Sequence, residues 1–300
     1  MRILLVGQSG QVAHELARAL ACLGEVTSRS RSSNPTLDLL NPDAIGPAVR
    51  AAQPDLIVNA SAYTQVDRAE SEREAAFAVN ARAVEALAVA CLEQKIPLIH
   101  YSTDYVFDGK SGTPYRECDP TGPDGVYAAS KFQGEEAIRS AGIPHLILRT
   151  AWVYGLHGQN FLKTMLRLMS ERESLGVVND QVGAPTWSRM IAEATALMIA
   201  RSLQEGRVML GERSGTYHLT CAGTTTWFGF AERIRALGMQ GGLLPPSAAT
   251  LRAISTEEYP TPARRPAYSV LDNQRLREAF GLRLPSWEEA LALCLETKIP

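Results

Sequence analysis

The sequence predicts an α/β fold in which a doubly wound parallel sheet carries a smaller C-terminal lobe. Apolar runs alternate regularly with helical patterns over the first half of the chain, and a glycine turn directly follows the first run. Unusual polar clusters also stand at the ends of predicted strands; they are 7–12, 28–31, 59–64 and 102–108. Alternating strands and helices are typical of a parallel sheet, whose ligands bind at the carboxyl ends of the strands.

Five strands are predicted in the first half, most of them as short apolar runs. They are "RILLVG" (2–7), "EVTSRS" (25–30), "DLIVNAS" (55–61), "PLIHYST" (97–103) and "HLILRTA" (145–151). Helical spacing of apolar residues predicts the segments between them to be helices. These helices cover 11–23, 43–53, 72–94 and the stretch "VYAASKFQGEE" (126–136).

The second half is less regular and contains aromatic residues, prolines and short elements. Examples are "NDQVGAPT" (179–186) and "YPTPARRPAYS" (259–269). We therefore interpret residues 1–150 as the sheet domain and 151–300 mainly as the smaller lobe. A segment near 185–220 is expected to return to the sheet.

Composition and charge exclude several classes of protein. The chain has 300 residues and a net charge of -2, which gives no general field for nucleic acid or an anionic membrane. Five scattered cysteines without a C-x-x-C pair argue against a disulfide framework or structural zinc and favour the cytoplasm. The N-terminal apolar run is too short for a signal peptide, and no uninterrupted apolar stretch of membrane-spanning length is present.

The stretch "GQSGQVAHELARAL" places Gly7 and Gly10 between the first strand and a helix. A tight turn followed by a helix N-terminus presents backbone N–H groups to a pyrophosphate, and glycine lets the ligand approach closely. Ala13 replaces the third glycine of the usual pattern but is small enough for helix–strand packing. A plain turn is the alternative, but the position directly after an N-terminal strand favours a Rossmann-like dinucleotide-binding domain.

The end of the second strand indicates which dinucleotide is bound. Where an acid would bind the ribose hydroxyls of NAD, the sequence reads "TSRSRSS", with Arg29 and Arg31 and no nearby acid. Guanidinium groups suit a ribose phosphate, so NADPH is the expected cofactor. NADH remains possible, and the alternative is a solvated loop.

Tyr127 and Lys131 lie four residues apart and share one face of a predicted helix. A tyrosine can protonate a carbonyl oxygen, and a nearby ammonium lowers its pKa toward the working range. Ser102 and Thr103 end the fourth strand and can supply a hydroxyl that polarises the same carbonyl. The Y-x-x-x-K spacing is common by chance, but its combination with a dinucleotide loop and a strand-end hydroxyl favours an active site.

Together these motifs resemble the extended short-chain dehydrogenase/reductases over nearly the whole chain. The matching stretches are "ILLVGQSGQV", "PDLIVNASAYTQVDRAE", "VNARAVEALA", "HYSTDYVFDG", "VYAASKFQGE", "LRTAWVYG", "NFLKTMLRL", "NDQVGAPT", "YHLTCAGTTTW" and "YPTPARRP". Within that family, "STDYVFDG" and "NDQVGAPT" point to reductases of dTDP-linked keto sugars. The resemblance implies NAD(P)H-dependent reduction of the C4 ketone of dTDP-4-dehydro-β-L-rhamnose, with the second half binding the nucleotide sugar.

The resemblance also implies roles for individual residues. Tyr127 would be the proton donor, Lys131 its tuner and a ribose ligand, and Thr103 the stabiliser of the developing oxyanion. The implied cofactor-binding positions are Gly7, Gly10, Gln11 and Val12 at the phosphates, Arg29 and Arg31 at the ribose, Asp38 and Leu39 at the adenine, and Ala60, Ala62, Tyr63 and Thr64 after the third strand. The implied substrate positions are Thr103, Asp104, Tyr127 and Trp152 at the sugar and Arg265 at the diphosphate.

Several of these residues have structural alternatives. Trp152 could belong to the core, Asp104 could cap the following turn, and Arg265 could be solvated like its neighbour Arg264. Asp67 and Glu70 are interpreted as charges favourable to a helix dipole, and no chemistry is assigned to them. His100 follows an apolar run and is interpreted as a core histidine.

Oligomeric state and metal content are separate questions. Some family members dimerise through a magnesium ion held by glutamates, and Glu15 and Glu288 fall at matching places. The third place holds Arg189 or Met190, and because a hard cation wants several oxygen ligands we expect no metal. A monomer or a homodimer remains open.

Rival functions share much of this sequence pattern. Another sugar-nucleotide 4-ketoreductase or an epimerase would use the same tyrosine and lysine. A dehydratase would place an acid pair after the hydroxyl, but Thr103 is followed by Asp104 and then Tyr105. A non-catalytic NADP-binding regulatory subunit is the alternative from a different class.

Overall fold

The computed structural model describes residues 1–296. Its strands are β1 (Arg2–Val6), β2 (Glu25–Arg29), β3 (Leu56–Asn59), β4 (Leu98–Thr103), β5 (His145–Thr150), β6 (Val153–Tyr154), β7 (Ser174–Val178), β8 (Val182–Gly183), β9 (Thr186–Trp187), β10 (Leu203–Gln204), β11 (Arg207–Val208), β12 (Gly215–His218), β13 (Thr225–Thr226) and β14 (Thr250–Ile254).

The α-helices are α1 (Gln11–Ala19), α2 (Ile45–Ala52), α3 (Val66–Ala69), α4 (Arg73–Phe77), α5 (Ala83–Gln94), α6 (Val126–Ser140), α7 (Phe161–Glu171), α8 (Ser188–Ala200), α9 (Trp227–Gln240), α10 (Gln274–Phe280) and α11 (Trp287–Glu296). The predicted long helix at 72–94 is present as one continuous helix, Arg73–Gln94. It contains a π-helical turn, Ala78–Arg82, that joins α4 to α5.

Six parallel strands form the central sheet in the order β12-β5-β4-β3-β1-β2. The chain runs outward from β1 to β2 and then returns past β1 to β3, so the strand order reverses between β1 and β3. In open parallel sheets, such a reversal opens a crevice at the carboxyl ends of the strands. The predicted Rossmann-like α/β class is confirmed.

The second half contributes to this sheet as well as to smaller ones. Strand β12 pairs with β5 at one edge of the central sheet, and α8 packs against α1. Strands β7 and β14 form a separate parallel pair that contacts α9. The chain thus returns to the sheet between Ser188 and His218, while the division into two domains stays an interpretation.

One large apolar core joins the two halves of the chain. It contains Leu5 and Leu148 from the sheet together with Phe230 and Trp287 from the second half, all buried. Because the same core is filled from both halves, the second half is packed firmly onto one face of the sheet. A second cluster on the opposite face includes Leu87 of α5 and Ile138 of α6.

The helix spanning Arg73–Gln94 is long and apolar enough to cross a membrane by length and composition alone. The prediction from sequence considered uninterrupted apolar stretches, and polar residues interrupt this one. Of the most apolar 18-residue window of this helix, 56% is buried inside the fold, where Leu87 and Ala88 belong to the core. Core helices of soluble proteins pass the same test, so the property is weak evidence for a membrane span.

Helix α6 lies unusually close to the π-helical turn. A Cβ atom built on Gly134 would lie 2.2 Å from the backbone oxygen of Asn80, far inside van der Waals contact. Only glycine therefore allows this approach. Since α6 carries Tyr127 and Lys131, the contact helps to set where both side chains lie relative to the sheet.

We expect Gly134→Ala to destabilise the fold by up to about 2 kcal/mol. Moving the overpacked helix away from Asn80 costs roughly 1–3 kcal/mol, and the higher helix propensity of alanine returns about 1 kcal/mol. Urea unfolding measures the change. Gly46→Ala is the matched control, because a Cβ there meets only the flexible end of Arg50, at 3.3 Å. Equal stability of the two variants would contradict the argument.

Candidate active site

The turn after β1 has the open geometry that a phosphate-binding turn needs. Gly7 has φ +119°, and a Cβ on it would lie 3.3 Å from that of Ala13. A Cβ on Gly10 would meet no atom within 4 Å, and no side chain caps the N-terminus of α1 there. The first N–H groups of α1 therefore face open space, as pyrophosphate binding requires.

The side chains next to this turn fasten it to the second half of the chain. Gln11 accepts a hydrogen bond from Asn160 Nδ2 at 2.8 Å, and its own Nε2 donates to the Val153 carbonyl at 3.4 Å. Val12 is half-buried and packs on the large core. A phosphate contact from either residue would thus come from the backbone.

Arg29 is the last residue of β2, and Arg31 lies two residues beyond it, at the neighbouring strand end. The Arg29 carbonyl accepts the Gly7 N–H at 2.8 Å, and among the described residues its side chain donates only to the Ser28 carbonyl, at 3.3 Å. Arg31 is exposed, and within residues 1–296 neither guanidinium forms an ion pair with an acid. Both charges are therefore available to an anionic ligand.

Asp38 and Leu39, the two residues predicted to contact the adenine, have local structural roles. Asp38 Oδ1 accepts the backbone N–H of Leu40 at 3.0 Å, and Leu39 is buried in the second core cluster. These contacts shape the loop between β2 and α2. Contact with an adenine stays a prediction for both residues.

The loop after β3 carries Ala60, Ala62, Tyr63 and Thr64, and Asn80 holds it in place. Asn80 Oδ1 accepts the Tyr63 N–H at 2.8 Å, and Nδ2 donates to the Tyr63 carbonyl at 3.0 Å. At the loop's start, the Ala60 N–H donates to the Val6 carbonyl at 2.9 Å. Ala62 is half-buried and Thr64 is exposed. The loop thus lies at the same sheet edge as the glycine turn.

Asn80 is a positioning residue that the sequence analysis missed. Its Nδ2 also donates to the Ser130 hydroxyl of α6 at 3.0 Å, so one buried amide joins the loop after β3 to the helix that carries Tyr127 and Lys131. An asparagine within the apolar helix "AAFAVNARA" was the available signal. A buried amide must be hydrogen-bonded, which makes such a residue a candidate for a contact with other segments.

Tyr127 lies in the first turn of α6, with Tyr105 packed edge-on at a centroid distance of 5.6 Å. Burial raises the pKa of Tyr127 to about 12; a hydrogen bond with Thr103 opposes this and the Asp104 carboxylate reinforces it. The phenol is therefore protonated at neutral pH, as a proton donor must be. Tyr127, Thr103 and Asp104 come together at the carboxyl end of β4.

Lys131 is buried beneath the same helix. Its Nζ donates to the Tyr101 carbonyl at 2.6 Å and lies 3.2 Å from His100 Nε2. Burial lowers the pKa of Lys131 to about 8, and Glu135, one turn further along α6, acts in the opposite direction. The predicted lowering of the Tyr127 pKa by Lys131 is not evident in the protein alone and stays a prediction.

Thr103 caps the short 3₁₀ turn that follows β4, a role considered for Asp104. Its Oγ1 accepts the Tyr105 N–H at 3.2 Å and donates to Asp104 Oδ1 at 3.0 Å. Burial raises the pKa of Asp104 to about 6, while the nearby hydroxyls of Ser269 and Thr103 act in the opposite direction. Asp104 thus lies beside Thr103 and determines where the Thr103 proton points.

The two acids to which no chemistry was assigned make specific contacts. Glu70 Oε1 accepts the Val126 N–H at 2.9 Å and so caps α6. Asp67 pairs with Arg265 at 2.7 Å and also accepts the Ala263 N–H at 3.2 Å. Arg265 is therefore held at the edge of the site instead of being solvated, and its role at a diphosphate stays a prediction. Arg264 is exposed and pairs with Asp124 at 3.2 Å.

Trp152 is half-buried and has φ +46°, a conformation that is rare for a bulky residue. Its ring stacks on Trp227 with centroids 3.6 Å apart, and a Cβ built on Gly183 would lie within 2.4–2.7 Å of the indole. Gly183 belongs to "NDQVGAPT", so that stretch makes room for Trp152. The tryptophan is thus a partly accessible side chain in a fixed position.

The expected metal-free state is not tested by the structure. Glu15 forms an ion pair with Arg189 at 3.2 Å, and Glu288 is exposed on α11. Within residues 1–296 no group of three or more His, Cys, Asp or Glu residues could hold a metal ion. The absence of magnesium and the oligomeric state stay predictions.

Comparisons with known proteins match nearly the whole length of this chain to one family. A family model described as the RmlD substrate binding domain matches residues 1–299. The chain is 48% identical over 296 residues to a dTDP-4-dehydrorhamnose reductase from Burkholderia thailandensis, covering 98% of both chains. It is 46% identical over 289 residues to the reductase of the same name from Escherichia coli K12, covering 96% of this chain and 95% of that one.

Solved structures show the same similarity. A dTDP-4-dehydrorhamnose reductase from Clostridium acetobutylicum superposes with a TM-score of 0.89 at 33% identity, covering 99% of both chains. The reductase from Bacillus anthracis, solved in complex with NADP, gives a TM-score of 0.86, also at 33% identity and with 99% of both chains covered.

We expect the stability of Asp104→Asn relative to the unsubstituted protein to depend on pH. The Asp104 pKa is about 6 in the folded state and about 3.9 when unfolded, so the stability that its proton gives is complete below about pH 4. It is lost as the pH rises through 6. The free energy of unfolding of Asp104→Asn, relative to that of the unsubstituted protein, should therefore rise by roughly 2–3 kcal/mol between pH 4 and pH 7.5.

Urea unfolding at several pH values measures this difference, with exposed Asp43→Asn as the control. A difference that is the same at every pH would show that Asp104 titrates normally.

Proposed function

The chain belongs to the RmlD substrate binding domain family, and we propose that it is a dTDP-4-dehydrorhamnose reductase. The proposed reaction is reduction of the C4 ketone of dTDP-4-dehydro-β-L-rhamnose by NADPH, giving dTDP-L-rhamnose. The observation that carries this proposal is the meeting of Tyr127 and Thr103 at the end of β4, beside a glycine turn built for a dinucleotide. Near-full-length identity to curated reductases of this name supports the substrate.

The residues present fit a bound NADPH. The open space before Gly10 and the uncapped N-terminus of α1 suit its pyrophosphate, and the free guanidinium groups of Arg29 and Arg31 suit a ribose phosphate. The loop after β3, fixed by Asn80, would follow the cofactor across the sheet edge. When bound, NADPH supplies the hydride for the ketone carbon.

The protein supplies the proton and the electrostatic stabilisation. Tyr127 keeps its proton at neutral pH and gives it to the carbonyl oxygen as negative charge develops there. Thr103 donates a hydrogen bond to the same oxygen, for which its proton must turn away from Asp104 Oδ1. Lys131, held under α6 by the Tyr101 carbonyl, favours the phenolate that remains on Tyr127.

The sugar would lie between the sheet and the second half of the chain. We assign contacts with the sugar to Trp152 and Asp104, and contact with the diphosphate to Arg265, which pairs with Asp67. We further propose a cytoplasmic enzyme that acts as a monomer or a homodimer on a small-molecule nucleotide sugar. No nucleic acid or membrane partner is proposed.

Oxidation of NADPH by the purified protein tests the proposal directly. The substrate is dTDP-4-dehydro-β-L-rhamnose generated in situ, and dTDP-4-dehydro-glucose is the comparison. Rapid oxidation with the former only, giving dTDP-L-rhamnose, is the expected result. Tight NADPH binding without oxidation of either sugar would favour another keto-sugar substrate, or the regulatory subunit if a stoichiometric partner copurifies.

We expect Tyr127→Phe to retain NADPH binding and to lose about 10²–10⁴-fold in kcat, because the proton donor is removed while its ring remains. Fluorescence titration and steady-state kinetics measure the two effects. Tyr154→Phe is the matched control, since that buried hydroxyl has no hydrogen-bond partner within residues 1–296. Near-normal turnover by Tyr127→Phe would remove this residue from its role.

We expect the double variant Arg29→Ala, Arg31→Ala to lose NADPH affinity by at least tenfold while NADH affinity changes little, because only NADPH has a ribose phosphate. The ratio of the two Kd values is the measurement. Arg167→Ala with Arg207→Ala, which removes two exposed arginines elsewhere, is the control. An unchanged ratio would mean that Arg29 and Arg31 are only surface charges.

A further inference from the structure

His100 lies on β4 directly below the catalytic helix and is completely buried. Its apolar strand context predicts a core histidine. In the structure both ring nitrogens have polar neighbours: Nδ1 lies 3.0 Å from Asn59 Nδ2, and Nε2 lies 3.2 Å from Lys131 Nζ. A buried row of three side chains thus runs from β3 through β4 to α6.

The orientation of the Asn59 amide determines where the imidazole proton lies. The backbone N–H of Ser61 can only donate, and its acceptor is Asn59 Oδ1 at 3.2 Å. The amide therefore turns its NH₂ group toward His100, so Nδ1 must accept a hydrogen bond. A neutral imidazole has one N–H, and here it must be the one on Nε2.

The N–H on Nε2 points at the Lys131 amine. An ammonium has only donors, so it gains nothing from a second donor at 3.2 Å, whereas an uncharged amine offers a lone pair. The remaining contact of Nζ, with the Tyr101 carbonyl at 2.6 Å, serves both forms because each can donate. The imidazole is therefore the contact that distinguishes the two protonation states.

We propose that His100 is a positioning residue for Lys131: Asn59 fixes its imidazole as the Nε2–H tautomer, and this N–H favours the uncharged amine over the ammonium. The row Asn59–His100–Lys131 thereby sets the pH range over which Lys131 can assist Tyr127. The tautomer itself is independent of the reaction, but its catalytic consequence depends on the proposed reductase function.

The other charged and titratable groups around Lys131 do not reverse this inference. Glu135 favours the ammonium but is shared with Arg149, which binds it through two hydrogen bonds at 2.9 and 2.7 Å. Tyr127, on the same helix, is uncharged at neutral pH because burial raises its pKa to about 12. Burial and Lys131 together hold the pKa of His100 well below its usual range, so the imidazole remains neutral.

The tautomer can be read in the unsubstituted protein without any activity assay. Long-range ¹H–¹⁵N correlation spectra of protein labelled with [¹⁵N]histidine distinguish Nδ1–H, Nε2–H and the imidazolium. The chain has five histidines, and His100 is assigned as the signal lost in His100→Gln, or by elimination using variants of the other four. The Nε2–H form at both pH 7 and pH 9 is expected; Nδ1–H or imidazolium at either pH overturns the proposal.

The catalytic consequence is read from the pH dependence of kcat/KM for the keto sugar at saturating NADPH. In His100→Gln the amide can turn its oxygen toward Nζ and accept from the ammonium. We expect the basic limb of the profile, where Lys131 loses its proton, to move upward by about one pH unit, since 1.4 kcal/mol corresponds to one unit. A basic limb that stays in place overturns this consequence.

The matched control is His218→Asn, which alters another completely buried histidine of the same sheet that makes no contact with Lys131. It should leave the basic limb unchanged even if it lowers stability. An equal shift in both variants would show a general effect of loosening the sheet and would overturn the specific role of His100. If the protein oxidises no NADPH, the reductase proposal fails while the tautomer measurement still decides the position of the proton.

Discussion

The close approach of α6 to the π-helical turn is the constraint on which the rest of the site depends. Gly134 lets the helix backbone reach the Asn80 carbonyl, and the Asn80 side chain binds both Ser130 of α6 and the loop after β3. Glu70 caps the start of the same helix. One helix is therefore fixed at its beginning and its middle, and the distance from Tyr127 to the end of β4 follows from those contacts.

Burial at this site brings the pKa values of a lysine and an aspartate closer together. The pKa of Lys131 is lowered to about 8 and the pKa of Asp104 is raised to about 6, in both cases because the charged form is desolvated. The buried pair Glu135 and Arg149 differs: burial alone would raise the pKa of Glu135, but its two hydrogen bonds with Arg149 lower it.

Much of the fold could be predicted from sequence because it depends on local patterns. Apolar runs gave the five strands, and Gly7 marked a turn whose positive φ the structure shows. Contacts between residues distant in sequence could not be predicted in this way. No local pattern indicates that β12 pairs with β5 or that Asp67 forms an ion pair with Arg265. Nor does an apolar strand reveal that His100 faces a lysine, because a core histidine and a positioning histidine occupy the same pattern of residues.

The continuous core between the halves limits how such an enzyme can acquire a new substrate. The strand β12 at the sheet edge and helix α8 against α1 both come from beyond residue 188, and Phe230 and Trp287 fill space beneath the sheet. A foreign substrate lobe exchanged at the midpoint of the chain would remove part of the nucleotide-binding half along with the old lobe. New specificity is therefore accessible through residue changes in the loops facing the crevice, and not through recombination of whole modules.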